Sequence, residues 1–168
     1  QQIDADSISL LSAFYDTEFL SENGFTRDNA LTLYLPNSYD FFWDTSAEDF
    51  RKKMLSYYNR FWNDSRRAKA ATLGLKPQEV SILASIVQKE SPKRDEQARV
   101  AGAYLNRLKK GMKLQADPTV IFAMKKASGD FNQVIKRVLY KDLRLKSPYN
   151  TYKSKGLPPG PIVMPDLS

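Results

Sequence analysis

The 168-residue chain contains no cysteine and no histidine. These absences exclude disulfide bonds, cysteine nucleophiles, Ser-His-Asp triads and ordinary zinc sites. Any acid–base chemistry must therefore fall to Asp, Glu, Lys or Tyr side chains. We expect neither a metal ion nor a cofactor. Apolar runs are short as well, and none reaches the roughly 18 residues that a membrane-spanning helix needs.

What is present is an ordinary globular composition with 42% hydrophobic and 27% charged residues, enough for one domain with a core. The formal charge of +7 permits an anionic neighbour such as a nucleic acid, a membrane surface or a wall polymer. The basic residues are scattered in short clusters, so we expect no nucleic-acid partner. The chain begins at Gln1 rather than Met, and we interpret it as a fragment of a longer protein.

Hydrophobic periodicity predicts a mainly α domain with a little extended structure. The helix predicted over 92–110 would be capped by Ser91, with Pro92 at its first position. The spacing predicts helices over 1–22, 47–71, 77–90, 92–110, 117–126 and 131–140, a short strand or extended segment over 31–35, and loops from 147 onward.

A dense aromatic patch follows the predicted extended segment 31–35 and consists of Tyr39, Phe41, Phe42 and Trp43. It is interpreted either as a small core beneath a loop or as a platform for stacking sugar rings. The pattern alone leaves both readings open.

Glu90 is a lone carboxylate at the end of an apolar helical stretch. It shares a predicted face with Leu83, Ile86 and Val87, and Pro92 should end the helix close to it. Burial and the negative end of the helix dipole would favour its protonated form. A general acid in glycoside cleavage needs such a carboxyl group, although a Glu near a helix end is usually solvated or paired.

Four segments occur in a characteristic order: 83–91 (LASIVQKES), 100–112 (VAGAYLNRLKKGM), 114–120 (LQADPTV), and 149–152 (YNTY) with 156–162 (GLPPGPI). This series resembles the YceG-like family of endolytic murein transglycosylases. Residues 35–39 look like a weaker version of an upstream family element. Gln88 departs from the family pattern, because many relatives carry a Glu there.

The resemblance implies a lysozyme-like helical core and a single catalytic domain over 1–168. Within it, 1–75 would be an upstream helical and aromatic subregion, and 76–168 the core that bears the motifs. The family's membrane anchor, LysM-like module and C-terminal segment would be absent from this chain. The protein would be held at the cytoplasmic membrane, with its catalytic part on the outer side.

The resemblance also implies an activity. The enzyme would cut nascent peptidoglycan strands between N-acetylmuramic acid and N-acetylglucosamine, leaving 1,6-anhydro-muramyl ends. Its partners would be glycan strands and the cell-wall elongation machinery. Glu90 maps onto the family's catalytic Glu. One carboxylate suffices for this reaction, because the C6 hydroxyl of the muramyl sugar is the nucleophile.

Other site candidates come from the same motifs. Asp117 is either a second carboxylate of the site or a helix cap. Asn106 and Arg107 are expected to hold the helix and loop around Glu90, and 149–152 is either a substrate-contacting or a structural loop. The candidate substrate-binding residues are Ser91, Asn106, Gln115, Asp117, Tyr149, Asn150, Thr151 and Tyr152.

Three rival functions remain. The nearest is a muramidase-type hydrolase that uses Glu90 together with Asp117. A non-catalytic peptidoglycan-binding module is the second. A pyridoxal-phosphate lyase is the third, but the chain offers no evident phosphate cradle and is short for such an enzyme.

Overall fold

The structure, a computed structural model, describes residues 5–166. It confirms the mainly α prediction, and none of these residues forms a β-strand. The α-helices are α1 (Ser7–Phe14), α2 (Thr17–Glu22), α3 (Ala47–Phe61), α4 (Asp64–Thr72), α5 (Pro77–Glu90), α6 (Arg94–Lys109) and α7 (Asp117–Ser128), with short 3₁₀ helices at Ala30–Leu33 and Asp142–Arg144.

The chain packs as two compact units. The first holds the described residues up to Gln78 together with Asp166, and the second is Glu79–Pro165. The first unit carries α1–α4. The second carries most of α5, then α6, α7 and the long loop region that follows them.

The prediction of one helix over 1–22 was wrong for the described part, since Asp16 interrupts it; residues 1–4 lie outside the description. The Asp16 carboxylate accepts hydrogen bonds from the backbone N–H groups of Glu18 and Phe19, which makes it the N-cap of α2. It also pairs with the buried Arg51 of α3, with 2.6 Å between Oδ2 and Nη1. Asp16 therefore begins a new helix and ties that helix to α3.

The predicted helix over 47–71 is also two helices. Trp62 ends α3 with a ψ of 59°, and the Asn63 side chain accepts a hydrogen bond from the Arg66 N–H to begin α4. An Asn in this position competes with helix continuation because its side chain replaces a backbone acceptor. The predicted strand over 31–35 is instead the 3₁₀ helix Ala30–Leu33.

The aromatic patch of the first unit has a half-buried part and an exposed part. Tyr39 and Phe41 belong to a set of packed rings, with 5.0 Å between the ring centroids of Phe41 and Phe50. Phe42 and Trp43 are 80% and 68% exposed. Half of the patch is therefore half-buried and packed against other rings, and the other half presents free ring faces.

Tyr58 gives the first unit a measurable pH dependence. Its hydroxyl is buried without a hydrogen-bond partner among the described residues, and burial raises its pKa from 10.0 to about 12. The unfolded chain loses this proton near pH 10, before the folded chain does. Stability that is present below pH 10 must therefore fall as the pH rises from 10 to 12.

We expect urea unfolding at pH 8, 10 and 11 to show that fall, and Tyr58→Phe to make it shallower. At neutral pH the same substitution should leave the free energy of unfolding unchanged or raise it slightly, because no hydrogen bond is lost. The exposed Tyr140→Phe is the control. An identical pH dependence in Tyr58→Phe and the parent would contradict the prediction.

In the second unit, α5 begins at Pro77 and ends at Glu90, as predicted. The next helix differs, because α6 begins at Arg94, preceded by Lys93, and not at Pro92. Ser91 is not its N-cap. The Ser91 hydroxyl instead donates to Glu96 Oε2 at 2.9 Å and accepts from the Lys93 N–H at 3.3 Å, so it still fixes the first turn of α6.

No helix forms over 131–140, contrary to the prediction. Several of the apolar side chains there stay in solvent: Val134 is 80% exposed and Tyr140 is 90% exposed. A short amphipathic helix without a packing partner is marginal in water. The segment is held at its ends, where Lys125 Nζ donates to the Phe131 carbonyl and the Leu139 N–H donates to Asp142.

The loop region that follows is fastened to α5. The Ser85 hydroxyl, fully buried within α5, accepts a hydrogen bond from the Ile162 N–H at 3.1 Å. The same hydroxyl donates to the Ile82 carbonyl. The predicted loop character is confirmed for residues 147–166, and the hydrogen bond to Ser85 holds this loop against α5.

Candidate active site

Glu90 is the last residue of α5, and its side chain is exposed. Leu83, Ile86 and Val87 are buried as expected, but the expected burial of Glu90 itself was wrong. The apolar face ends one turn before the carboxylate, where the chain bends at Ser91 to enter α6. The acid is therefore presented to solvent, where a large substrate can reach it.

Tyr104 is the hydrogen-bond partner of Glu90. Its hydroxyl donates to Glu90 Oε2 at 3.0 Å across the α5–α6 turn. Burial, and then the charge of Glu90, raise the pKa of Tyr104 well above its usual value, so the phenol stays protonated and keeps donating. The sequence motifs alone did not reveal this role of Tyr104. The signal was its place in the 100–112 motif.

Tyr152 and Asp117 form a second pair. The Tyr152 hydroxyl donates to Asp117 Oδ1 at 2.6 Å. Desolvation raises the pKa of Tyr152 to about 12, helped by the Asp117 hydrogen bond and by the charges of Asp117 and Glu90. The charges of Asp117 and Glu90 therefore act together on the Tyr152 hydroxyl.

Asp117 was considered as a helix cap, but the structure gives it another place. It is the first residue of α7, and the preceding Ala116 forms no side-chain capping bond. Its carboxylate is engaged by Tyr152 instead. Pro118 lies in the first turn, where the missing N–H costs no helical hydrogen bond.

Arg107 holds residues 113–115, which precede α7 in the chain. Its Nη1 donates to the carbonyls of Lys113 and Leu114 and to Gln115 Oε1, at 3.2, 2.9 and 3.0 Å. Gln115 has a φ of 56°, a left-handed conformation that non-glycine residues rarely adopt. The surrounding contacts must therefore over-determine it. Asn106, expected to share this task, is exposed.

The 149–152 loop is anchored by its own side chains. Three of its residues, Tyr149, Asn150 and Thr151, are buried, with exposed fractions of 2%, 0% and 1%. Tyr152 is half-buried and contacts Asp117. Thr151 Oγ1 accepts from the Ala116 N–H and contacts Thr119 Oγ1 at 2.8 Å. The structure thus brings Tyr152 to Asp117 and Glu90, and sets its three neighbours in the packing that supports it.

The Asn150 side chain makes three hydrogen bonds that hold this loop. Its side-chain amide donates to the carbonyls of Leu143 and Leu145 at 3.1 and 2.8 Å. Its side-chain oxygen accepts from the Tyr152 N–H at 3.0 Å. Asn150 therefore fixes the backbone of Tyr152 directly.

The site thus consists of an exposed carboxylate on a helix end, a buried phenol that donates to it, and a neighbouring Asp–Tyr pair on a pinned loop. The chain belongs to the YceG-like family, whose family description matches residues 4–168. The helix ends and loops that form the site all lie within that match.

Known proteins support the same relationship. The chain is 38% identical over 129 residues to an endolytic murein transglycosylase of Bacillus subtilis, covering 74% of this chain and 32% of that protein. It is 35% identical over 89 residues to an endolytic murein transglycosylase of Streptococcus pneumoniae, covering 53% of this chain and 16% of that protein. The chain therefore spans a third or less of these relatives.

Its fold is similar to the crystal structure of a yceG-like protein from Listeria monocytogenes, with a TM-score of 0.71 and 29% identity. The similarity covers 94% of this chain and 54% of that one. Within residues 5–166, no helix has both the length and the apolar character to cross a membrane.

Proposed function

We propose that this chain is the catalytic part of an endolytic murein transglycosylase. It would cleave the bond between N-acetylmuramic acid and N-acetylglucosamine in glycan strands and leave 1,6-anhydro-muramyl ends. The observation that carries the proposal is Glu90, an exposed carboxylate oriented by Tyr104 in the motif most typical of the family. Catalysis is assigned to residues 76–168.

The mechanism needs Glu90 in two states. As an acid, Glu90 transfers its proton to the bridging oxygen, and the bond from that oxygen to C1 of the muramyl sugar breaks. As a carboxylate, it takes the proton from the C6 hydroxyl, whose oxygen forms the new bond to C1. No water is consumed. The sugar's N-acetyl group stabilises the cationic centre in place of a second carboxylate.

The hydrogen bonds of Glu90 suit this role. Oε2 accepts from Tyr104, whereas Oε1 has no hydrogen-bond partner among residues 5–166. The bonded oxygen fixes the orientation of the carboxyl group. The open oxygen is left to exchange the proton with the substrate.

The hydrolase alternative would require Asp117 as a second catalytic carboxylate. In the structure, Asp117 Oδ1 already accepts a 2.6 Å hydrogen bond from Tyr152, which favours a positioning role. Incubating the chain with uncrosslinked glycan strands and weighing the products separates the two. Anhydro-muramyl ends support the proposal. Reducing ends would establish the hydrolase, and unchanged strands would contradict both.

The Tyr104 hydroxyl should act as a positioning group. We expect Tyr104→Phe to lower kcat by roughly ten-fold, because a hydrogen bond to a charged group contributes about 1.5–3 kcal/mol. KM and the thermal midpoint should change little, since the ring remains packed and Glu90 stays solvated. Initial rates of anhydro-product formation check this. A change in KM with an unchanged kcat would contradict it.

The place of action follows from the substrate. We propose that the chain works outside the cytoplasm, on the wall side of the cytoplasmic membrane, attached through a region beyond this sequence. Glycan strands would be its main partner, with the elongation machinery nearby.

A further inference from the structure

A cavity of about 480 Å³ lies in the second unit beside the Asp117–Tyr152 pair. The volume falls in the ~300–1,000 Å³ range typical of small-molecule sites. This cavity could not be predicted from the sequence, because part of its lining comes from the 131–140 segment, which was expected to be helical. The cavity is lined by Asp117, Arg137, Val138, Leu139, Tyr140, Leu143 and Tyr152.

Arg137 is the positive group of this cavity. It is exposed and forms neither an ion pair nor a hydrogen bond with any of residues 5–166. A guanidinium carries a planar fork of donors that matches a carboxylate in two parallel hydrogen bonds. In a concave surface, such an unused fork is a recognition element for an anion.

The other lining residues of the cavity have different chemistry. Asp117 is already engaged by Tyr152 at one oxygen and can accept from a sugar hydroxyl or an amide N–H with the other. The ring of Tyr140 is 90% exposed, which leaves a face free to pack on a sugar ring. Three further residues add apolar surface to the lining, namely Val138, Leu139 and Leu143. The cavity therefore combines an acceptor, a ring face and a cation.

We propose that this cavity binds a muramyl sugar by its acidic substituent, with Arg137 pairing with the carboxylate and Tyr140 packing against the ring. The inference rests on the proposed function and adds to it. Arg137 becomes the residue that distinguishes muramyl sugars from uncharged N-acetylglucosamine. The carboxylate is that of the lactyl group itself or of a peptide joined to it.

The test measures binding to the inactive Glu90→Gln chain by calorimetry. The probes are a tetrasaccharide of alternating N-acetylglucosamine and N-acetylmuramic acid, the same sugar with its lactyl carboxyl reduced to an alcohol, and a third form whose lactyl groups carry a dipeptide acid. We expect the reduced sugar to bind about ten-fold more weakly than the lactyl acid. The dipeptide form identifies which carboxylate is preferred.

Arg137→Gln should remove that discrimination, so that acid and alcohol bind equally weakly, while Arg137→Lys should retain part of it because a point charge replaces the fork. Arg144→Gln, an exposed arginine outside the cavity lining, is the matched control and should behave as the parent. Equal binding of all three sugars by the parent, or discrimination that survives Arg137→Gln, would overturn the proposal.

The two failures are distinguishable. If the cavity does not read the carboxylate, the unmutated chain still produces anhydro ends and the Glu90→Gln chain still binds all sugars alike. If the proposed function is wrong, the unmutated chain yields no anhydro ends. Binding of none of the sugars would overturn the cavity proposal as well.

Discussion

Glu90→Gln should lower the formation of anhydro-muramyl ends by roughly a thousand-fold, because a positioned acid–base group contributes about 10²–10⁴-fold. The amide can still accept from Tyr104, but it can neither supply nor take up the proton. Mass spectrometry of the products from uncrosslinked glycan strands measures the effect. Glycan binding should survive, since the shape of the site is unchanged.

The fold should survive too. Glu90 is exposed, and surface substitutions usually change stability by less than about 0.5 kcal/mol. Circular dichroism and the thermal midpoint verify this, and Glu22→Gln, at the exposed end of α2, is the matched control with full activity. Glu90→Asp should fall between the two, because its shorter arm leaves the carboxyl group out of place. Full activity in Glu90→Gln would refute the assignment.

Asn150→Ala should destabilise the second unit by roughly 3 kcal/mol. It leaves the part-buried carbonyls of Leu143 and Leu145 without their donor, and a polar group that loses its partner away from water costs about 1–3 kcal/mol. For a chain of this size the thermal midpoint should drop by roughly 6–12 °C. Differential scanning calorimetry measures it.

The catalytic activity of Asn150→Ala should also fall at temperatures where the variant is still folded. The reason is that the Tyr152 N–H loses its hydrogen bond to the Asn150 side chain. Asn150→Asp keeps that acceptor but not the two donations, so its loss of stability should be large and its loss of activity smaller. Asn132→Ala, on an exposed turn, is the control. A midpoint for Asn150→Ala within 2 °C of the control would show that the network is dispensable.

Local signals predicted the helix that carries the candidate acid. Pro77 in the first turn and Pro92 just beyond the end are constraints that act on the backbone within a few residues, and α5 has the expected bounds. Local signals did not predict the helix break at Asn63, because an Asn side chain can either lie on the surface of a helix or cap a new one. Only the packing of the first unit decides between those outcomes.

The partners in the site could not be predicted in the same way. The periodicity of α6 marks Tyr104 as an inward residue but not as the donor to Glu90, since that depends on how two helices turn against each other. The burial of Glu90 was inferred from an ideal helix, and the chain leaves that helix at the residue in question. The family motifs supplied the identity of the acid, and the structure supplied its surroundings.

The two hydrogen-bonded pairs of the site differ in how far apart they lie along the chain. Glu90 and Tyr104 are 14 residues apart, whereas Asp117 and Tyr152 are 35 residues apart. Closing the longer loop costs more entropy, and non-local contacts form later in folding. The hydrogen bond between Glu90 and Tyr104 can therefore form first, and that between Asp117 and Tyr152 follows when the 149–152 loop docks. The orientation of the acid thus depends on local contacts, whereas the Asp117–Tyr152 pair depends on the folding of most of the second unit.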